Sequence, residues 1–432
     1  MRVAVVGTGY VGLPTGAVLA DLGHTVVCID RDVQKLERIK RAEAPIFEPG
    51  LNEVLERVVA LGRLTVSPSI TEGMQDAEVV FIAVGTPSGK DGRPDMSQVE
   101  GAAREIGQNI KTPVVIVNKS TVPVGSGDLV RRIIAEQGAD PALFDVVSNP
   151  EFLREGSAIK DSYNPDRIVI GAQRAESAER LIELYRPLES LVFVTDVKSA
   201  ELIKYASNSY LATKISFINA ISRLCELCGA DVADVAHGMG MDKRIGPDFL
   251  KAGLGWGGSC FPKDVDGLIA TSKDLGYEFG MLLASKEVND TQVANFMSRL
   301  SDAIGGFSGK TVCLLGLSFK PNTDDIRDAK SLNVISILKK GGAKVRAFDP
   351  VAMPAMKAVH PDLCYASDEY EAADGADAVV VVTEWGQFKS LDLAKLGEKM
   401  RNRVLFDGRR VFSPELAKEA GFVYARVGSA ME

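Results

Sequence analysis

At 432 residues the chain is longer than one core usually organises, so two or three domains are expected. Its 46% hydrophobic and 25% charged residues are those of a globular protein, and a net charge of −8 argues against a general nucleic-acid or membrane-surface binder. Six scattered cysteines make no disulfide framework, and the longest aliphatic run, Ala378 to Val382, is far too short to span a bilayer, so a reducing, cytoplasmic setting is expected.

Residues 2 to 30 read as strand, glycine turn, helix, strand. The strand pattern begins at Arg2, so no signal peptide is expected. The turn, Gly7-Thr8-Gly9-Tyr10-Val11-Gly12, has the spacing that lets a backbone approach a pyrophosphate at a helix N-terminus. Asp30 ends the second strand, where a carboxylate accepts hydrogen bonds from an adenosine ribose; this favours NAD, while the adjacent Arg31 keeps NADP open. Further apolar strands at Val79–Val84, Val114–Val117, Val146–Ser148 and Ile168–Ile170 alternate with helical or loop segments and imply a parallel, doubly wound sheet.

Asn149-Pro150-Glu151 reads as a helix start, with an N-cap, a proline at the first position and an acid in the first turn. The helix dipole there favours an ionised Glu151, a terminus stabiliser or a general base. From about Lys198 to Cys228 neither Gly nor Pro occurs, which predicts one helix of about 30 residues, about 45 Å long, ended by Gly229. Its length can bridge two domains, and its apolar and small residues can pack on a second subunit. Lys204 and Asn208 share one face of it; spacing alone favours a solvated lysine paired with Glu201, the alternative being a grip on substrate hydroxyls or a catalytic water. Cys225-x-x-Cys228 falls within the same helix with no second pair or His at zinc spacing, so it reads as packing and no metal site is expected.

Next comes Gly255-Trp256-Gly257-Gly258-Ser259-Cys260-Phe261-Pro262-Lys263-Asp264, where close glycines admit a ligand, and a cysteine is followed by a cation and a carboxylate. By itself the loop fits either a nucleophile or a buried thiol in a tight turn. With only His24, His237 and His360 in the chain, proton chemistry falls to Lys, Asp, Glu and Cys. Strand patterning returns at Val312–Leu315, Val345–Phe348, Ala378–Val382 and Val404–Phe406, with a helix near Ser331–Lys340. The turn Gly316-Leu317-Ser318-Phe319-Lys320 lacks the first glycine pattern and should hold its ligand differently. The expected fold is α/β, two Rossmann-like doubly wound domains joined by a long central helix, with boundaries at 1–196, 197–300 and 301–432.

Together these stretches resemble the UDP-glucose 6-dehydrogenase family, through Gly7 to Gly12, Lys119-Ser120-Thr121-Val122-Pro123-Val124-Gly125, Asn149 to Gly156, Lys204 to Asn208, Gly255 to Asp264, Gly316 to Lys320 and Asp407-Gly408-Arg409-Arg410. The resemblance implies oxidation of a sugar C6 alcohol to a carboxylate with two NAD⁺, through a thiohemiacetal and a thioester on Cys260. It implies that Lys204, Asn208 and Asp264 bind the C6 oxygen or a water, and that Glu151 and Thr121 serve the hydrolysis. It assigns Gly7, Gly9, Tyr10, Val11, Gly12, Asp30, Lys35, Thr86, Thr121, Glu155, Lys263 and Arg327 to the cofactor; Lys35 stands where an arginine is often found. To the UDP-glucose substrate it assigns Glu151, Phe152, Leu153, Arg154, Glu155, Lys204, Asn208, Phe249, Leu250, Lys251, Gly255, Gly257, Phe319, Lys320 and Arg409. Arg244 matches a position that reaches a neighbouring subunit's substrate, so a homodimer or higher homo-oligomer is implied. The three segments become an NAD-binding domain, a central helical domain with the dimer contact and active-site loop, and a UDP-sugar-binding domain.

GDP-mannose dehydrogenases share the thiol and the four-electron chemistry, but Gly255 to Asp264 and Glu384-Trp385-Gly386-Gln387-Phe388 look more like the UDP-glucose branch. UDP-N-acetyl sugar dehydrogenases carry a His where this chain has Ser259. Two-electron β-hydroxyacid dehydrogenases also pair a glycine turn with a Lys and Asn four apart, yet have no use for a nucleophilic Cys. A non-enzymatic NAD sensor leaves the set Thr121, Glu151, Lys204, Asn208, Cys260 and Asp264 unexplained.

Overall fold

The first apolar run forms β1 (Arg2–Val6) in a computed structural model, which describes residues 1–89 and 91–430. With it pair β2 (Thr25–Ile29), β3 (Leu64–Ser67), β4 (Val79–Ile82), β5 (Val114–Asn118), β6 (Phe144–Ser148), β7 (Ile168–Gly171) and β8 (Val192–Thr195). The sheet order is β3-β2-β1-β4-β5-β6-β7-β8. Side chains alternate along a strand, and here both faces are covered. Val3 and Val5 enter one core with Val79, Phe81 and Leu13, while Ala4 and Val6 enter another with Val80, Ile82 and Val99. The order reverses between β1 and β4, which opens a crevice at their C-terminal ends. This sheet belongs to one compact unit, Met1–Ser207 with Asp266–Tyr277.

One expectation needs correction, because the sheet is not parallel throughout. β6 and β7 pair antiparallel, Ser148 opposite Gly171. Parallel neighbours need a crossover helix, and between these two strands the helix Ala158–Tyr163 has only six residues. The chain therefore turns back beside β6.

The second unit, Asn208–Val265 with Glu278–Glu432, holds β9 (Thr311–Leu315), β10 (Lys344–Phe348), β11 (Cys364–Tyr365), β12 (Ala378–Val381), β13 (Val404–Asp407) and β14 (Val423–Arg426). They form a six-stranded parallel sheet in the order β11-β10-β9-β12-β13-β14. Gly316 after β9 repeats the geometry of Gly7 after β1. Both have positive φ, and an added Cβ would strike Thr383 in one unit and Ala83 in the other, each at 2.5 Å. The acids differ. Asp30 is half-buried, whereas Asp349 is sealed and accepts from Leu317 N, Ser318 N, Trp385 Nε1, Val351 N and Ala352 N. The next helix starts only at Lys330, so a long loop carrying Phe319 and Lys320 replaces the glycine turn.

The central helix, Val197–Cys228, runs for 32 residues from the first unit into the second. It stops where expected, at Gly229 with φ +79° and its N–H on Cys225 O. The packing reading of the cysteine pair holds for Cys225, which is buried, and fails for Cys228, which is exposed. Among the described residues no helix is long and apolar enough to cross a membrane, and no cluster of His, Cys, Asp or Glu could hold a metal.

Candidate active site

In the first unit the crevice after β1 is a cleft of about 610 Å³, lined by Gly7, Thr8, Gly9, Asp30, Arg31 and Lys35 among others. The three glycines serve different ends. A Cβ on Gly12 would lie 2.0 Å from Gly7 O, so Gly12 lets the helix Gly12–Asp21 start against the turn. A Cβ on Gly9 would meet nothing within 4 Å, so the turn opens there onto the cleft that Gly9 lines. Asp30 accepts from Thr8 N at 2.9 Å, Thr8 Oγ1 at 2.6 Å and Asp32 N at 3.0 Å. Burial would raise its carboxyl, but these bonds outweigh burial and hold it below its ordinary value. Arg31 is turned to an ion pair with Glu105. A cleft of this size with an ionised acid and open space at Gly9 fits a dinucleotide. Tyr10 and Val11 carry the turn into the helix, and Thr86 Oγ1 donates to Thr121 O at 2.9 Å. Of the other cofactor candidates, Glu155 sits on the segment after β6, while Lys263 and Arg327 belong to the second unit.

The segment 149–154 is not the expected helix start; it is irregular, and no helix begins before Ala158. Asn149 is prevented from capping because its side chain is used elsewhere. Its Oδ1 accepts from Lys119 Nζ at 2.9 Å and from Tyr185 OH at 2.6 Å, and its Nδ2 donates to Val169 O. Glu151 is buried, accepting from Lys204 Nζ at 2.8 Å through one oxygen and from Leu153 N at 2.6 Å through the other. Desolvation alone would raise its carboxyl; Lys204, the Leu153 N–H and Lys119 together hold it low. The solvated Lys204–Glu201 pairing is therefore corrected. Glu201 is also buried and accepts from Gly125 N and Gly127 N, capping the helix Ser126–Glu136, whose own N-cap glycine has no side chain to do so. Phe152 lies under the Arg167 guanidinium at 3.6 Å, with Lys204 Nζ 5.5 Å from its ring, and Arg154 is bound to Asp161.

In the second unit Cys260 caps the helix Phe261–Asp274. Its carbonyl accepts Asp264 N at 2.9 Å, and the half-buried thiol sits at the positive end of that helix, where the dipole favours negative charge. Asp264 is fully buried and joined to Asn208 Nδ2 at 2.6 Å and Lys263 Nζ at 2.7 Å. The glycines before it are demanded by packing. A Cβ on Gly257 would sit 2.0 Å from Asp328 O, one on Gly255 2.4 Å from Asn289 Oδ1, and one on Gly258 2.6 Å from the Phe319 ring. Phe249 has φ +63°, a costly backbone for a bulky residue, with its ring 6.3 Å from Phe261. Leu250 is buried and Lys251 exposed. Arg409 donates to Val382 O and lies 3.4 Å from Glu384, Lys320 Nζ is 5.3 Å from the Phe319 ring, and Arg327 is bound to Asp325. Arg244 is highly exposed and paired with Asp242.

The structure thus groups Glu151, Phe152, Leu153 and Lys204 in one unit, and Asn208, Cys260, Lys263 and Asp264 in the other. Sequence reasoning gave no role to Lys119, Tyr185 or Arg167. Lys119 lay in a stretch already singled out, but a lysine ending an apolar strand was the available signal, and its partners are 30 and 66 residues away.

Residues 1–189 match the NAD binding domain of the UDP-glucose/GDP-mannose dehydrogenase family, 198–291 its central domain and 313–414 its UDP binding domain. UDP-glucose 6-dehydrogenase YwqF of Bacillus subtilis is 47% identical over 99% of this chain and 98% of its own length. A UDP-glucose 6-dehydrogenase of Pseudomonas aeruginosa is 44% identical over 99% and 97%. The UDP-glucose dehydrogenase structure from Pyrobaculum islandicum superposes with a TM-score of 0.93 at 40% identity, covering 99% of this chain and 98% of that one.

Proposed function

The chain belongs to the UDP-glucose/GDP-mannose dehydrogenase family, and from that premise we propose that it oxidises UDP-glucose to UDP-glucuronate. It is an NAD-dependent oxidoreductase. The observation that carries the chemistry is the half-buried Cys260 thiol at a helix N-terminus within a glycine loop. The sugar nucleotide is supported by the relatives' names.

NAD⁺, when bound, would supply the hydride acceptor, and Gly7, Gly9, Asp30 and Lys35, which line the cleft, would hold it. Loss of a hydride from C6 and a proton from O6 gives an aldehyde. Cys260 Sγ adds to that carbon as the carbonyl pair moves to oxygen, forming a thiohemiacetal; loss of a second hydride leaves a thioester. Water adds, the C–S bond breaks, and carboxylate and thiolate are released. The whole consumes one alcohol and one water and releases two hydrides and three protons. Lys204 stabilises the developing oxyanions, Asn208 and Asp264 bind the C6 oxygen or a water, and Glu151 and Thr121 serve the hydrolysis. Phe319, Lys320, Arg409 and the loop from Phe249 to Gly257 receive the nucleotide sugar. With limiting UDP-glucose and excess NAD⁺, two NADH per sugar and a UDP-hexuronate product are expected. One NADH with an accumulating aldehyde or ketone refutes the thioester route, and turnover of GDP-mannose alone overturns the substrate.

A homodimer forms part of the same proposal. Tyr210, Phe217 and Leu224 recur every seventh residue along the central helix and are 63%, 49% and 58% exposed. Phe217→Asp should shift the protein from dimer to monomer in sedimentation velocity, and a monomeric wild type at micromolar concentration would defeat the idea. Arg244 then extends toward the neighbouring subunit's substrate. We also place the protein in the cytoplasm, which fits six cysteines with no disulfide among the described residues; cell fractionation tests it.

A further inference from the structure

Lys119 follows β5 and is buried with its amine on Asn149 Oδ1 at 2.9 Å and 3.4 Å from Tyr185 OH. Asn149 is anchored in turn by Tyr185 OH and Val169 O, and it precedes Glu151 by two residues. Glu151 has one oxygen on Lys204 and the other on its own strap, at Leu153 N. Two buried ammonium groups and one buried carboxylate therefore belong to a single network. We infer that Lys119 is a positioning residue for the Glu151–Lys204 pair, clamping the backbone that presents Glu151 and supplying a second positive charge to its carboxylate.

Both halves of this role have a physical basis. The clamp is needed because residues 149–154 make no helix or strand; Asn149 keeps one backbone bond, its N–H to Asn118 O at 3.0 Å, and its side-chain bonds supply the remaining hold. The charge matters because one buried carboxylate beside one buried lysine is easily neutralised by proton transfer; burial pushes Glu151 up, Lys204 and the Leu153 N–H hold it down, and Lys119 adds a further positive charge on the same side. Burial, aided by Lys204 and opposed by Glu151, pushes the Lys119 amine down to about 8. Lys119 is faced by Glu151 on the strap, Lys204 on the central helix and Tyr185 at the end of the helix Ala175–Tyr185. A cavity of about 110 Å³ behind the strap is also lined by Arg154, Asp161, Asp166 and Arg167.

The inference rests on the function proposed above, and the test separates the two. Lys119→Met should lower kcat about tenfold to a hundredfold with little change in the KM for UDP-glucose or in NAD⁺ affinity. It should also move the acid limb of the kcat–pH profile to higher pH, because Glu151 loses a positive neighbour. Lys119→Arg should restore the limb. A purely structural lysine would change the amplitude and leave the limb in place. Wild-type kcat and an unmoved limb in Lys119→Met overturn the proposal. If that variant fails to fold, Tyr185→Phe, which removes one bond to Asn149, should lower kcat several-fold with the limb unmoved, and unchanged kcat overturns the clamp. A wild type inactive on UDP-glucose defeats only the earlier reading. The buried charge is then tested by urea midpoints of wild type and Lys119→Met against pH. An amine held low in the folded state binds fewer protons folded than unfolded, so the wild type should gain relative stability as pH rises from 8 towards 10. Parallel profiles overturn it.

Discussion

Cys260→Ser should all but end UDP-glucuronate formation, lowering it about a thousandfold or more, which corresponds to about 4 kcal/mol of lost transition-state stabilisation. A serine hydroxyl at a helix N-terminus remains almost wholly protonated, so the dipole that favours charge on the sulfur gains nothing there. The aldehyde is then not captured, and no acyl intermediate becomes available to water. NADH per UDP-glucose should fall from two to at most one. Cofactor affinity should hold, because the substitution leaves the lining of the cleft around Gly7, Gly9 and Asp30 unchanged. Fluorescence titration with NADH checks that control. Serine turnover at the wild-type rate would sink the covalent route and favour a simple two-electron dehydrogenase.

Lys204→Met should be comparably damaging and should also weaken the fold. The side chains of Lys204 and Glu151 are each only 4% exposed, and removing one member of such a pair costs about 3–5 kcal/mol. Loss of an oxyanion stabiliser should lower kcat about 10²- to 10³-fold. The pH dependence follows from the depressed Glu151 carboxyl, whose stabilisation is present above the unfolded-state value and lost as pH falls through the folded one. The stability gap between wild type and variant should therefore be widest near neutrality and narrow in acid, as read from urea melts. A gap that stays constant from pH 7 to pH 4 would mean that Glu151 does not depend on Lys204.

The parts of this fold that were legible in the sequence are those with complete local patterns. The Gly7-to-Gly12 turn follows one strand and precedes another that are apolar after their first residues, Arg2 and Thr25, and the central helix announces itself by lacking Gly and Pro from Lys198 to Cys228. The strands that went unread, β3, β8, β11 and β14, are the four outer strands of the two sheets. An outer strand has one neighbour and a wetter surface, so Leu64–Ser67 mixes exposed and buried positions, Val192–Thr195 has no buried position, and Cys364–Tyr365 has only two residues. The sites divide similarly. Glycine spacing found the cleft and the thiol loop, but Lys204 and Glu151 are 53 residues apart and Asn208 and Asp264 56 apart, beyond any spacing rule. Asn149 was misread because its sequence context fits a cap, while its side chain answers to Lys119 and Tyr185.

The contrast between Asp30 and Asp349 has a kinetic consequence. The two sheets wind alike, yet Asp349 spends its oxygens on donors from five residues of its own fold, whereas Asp30 lines a cleft. On the proposed route that one cleft serves an oxidation that removes two hydrides. Reduced cofactor departs and a fresh one arrives midway through each turnover, so the half-oxidised sugar waits for as long as that exchange takes. An aldehyde left loose for that interval hydrates or diffuses off; one tied to sulfur does neither. On this route the tether at Cys260 is an anchor whose required lifetime is set by cofactor traffic.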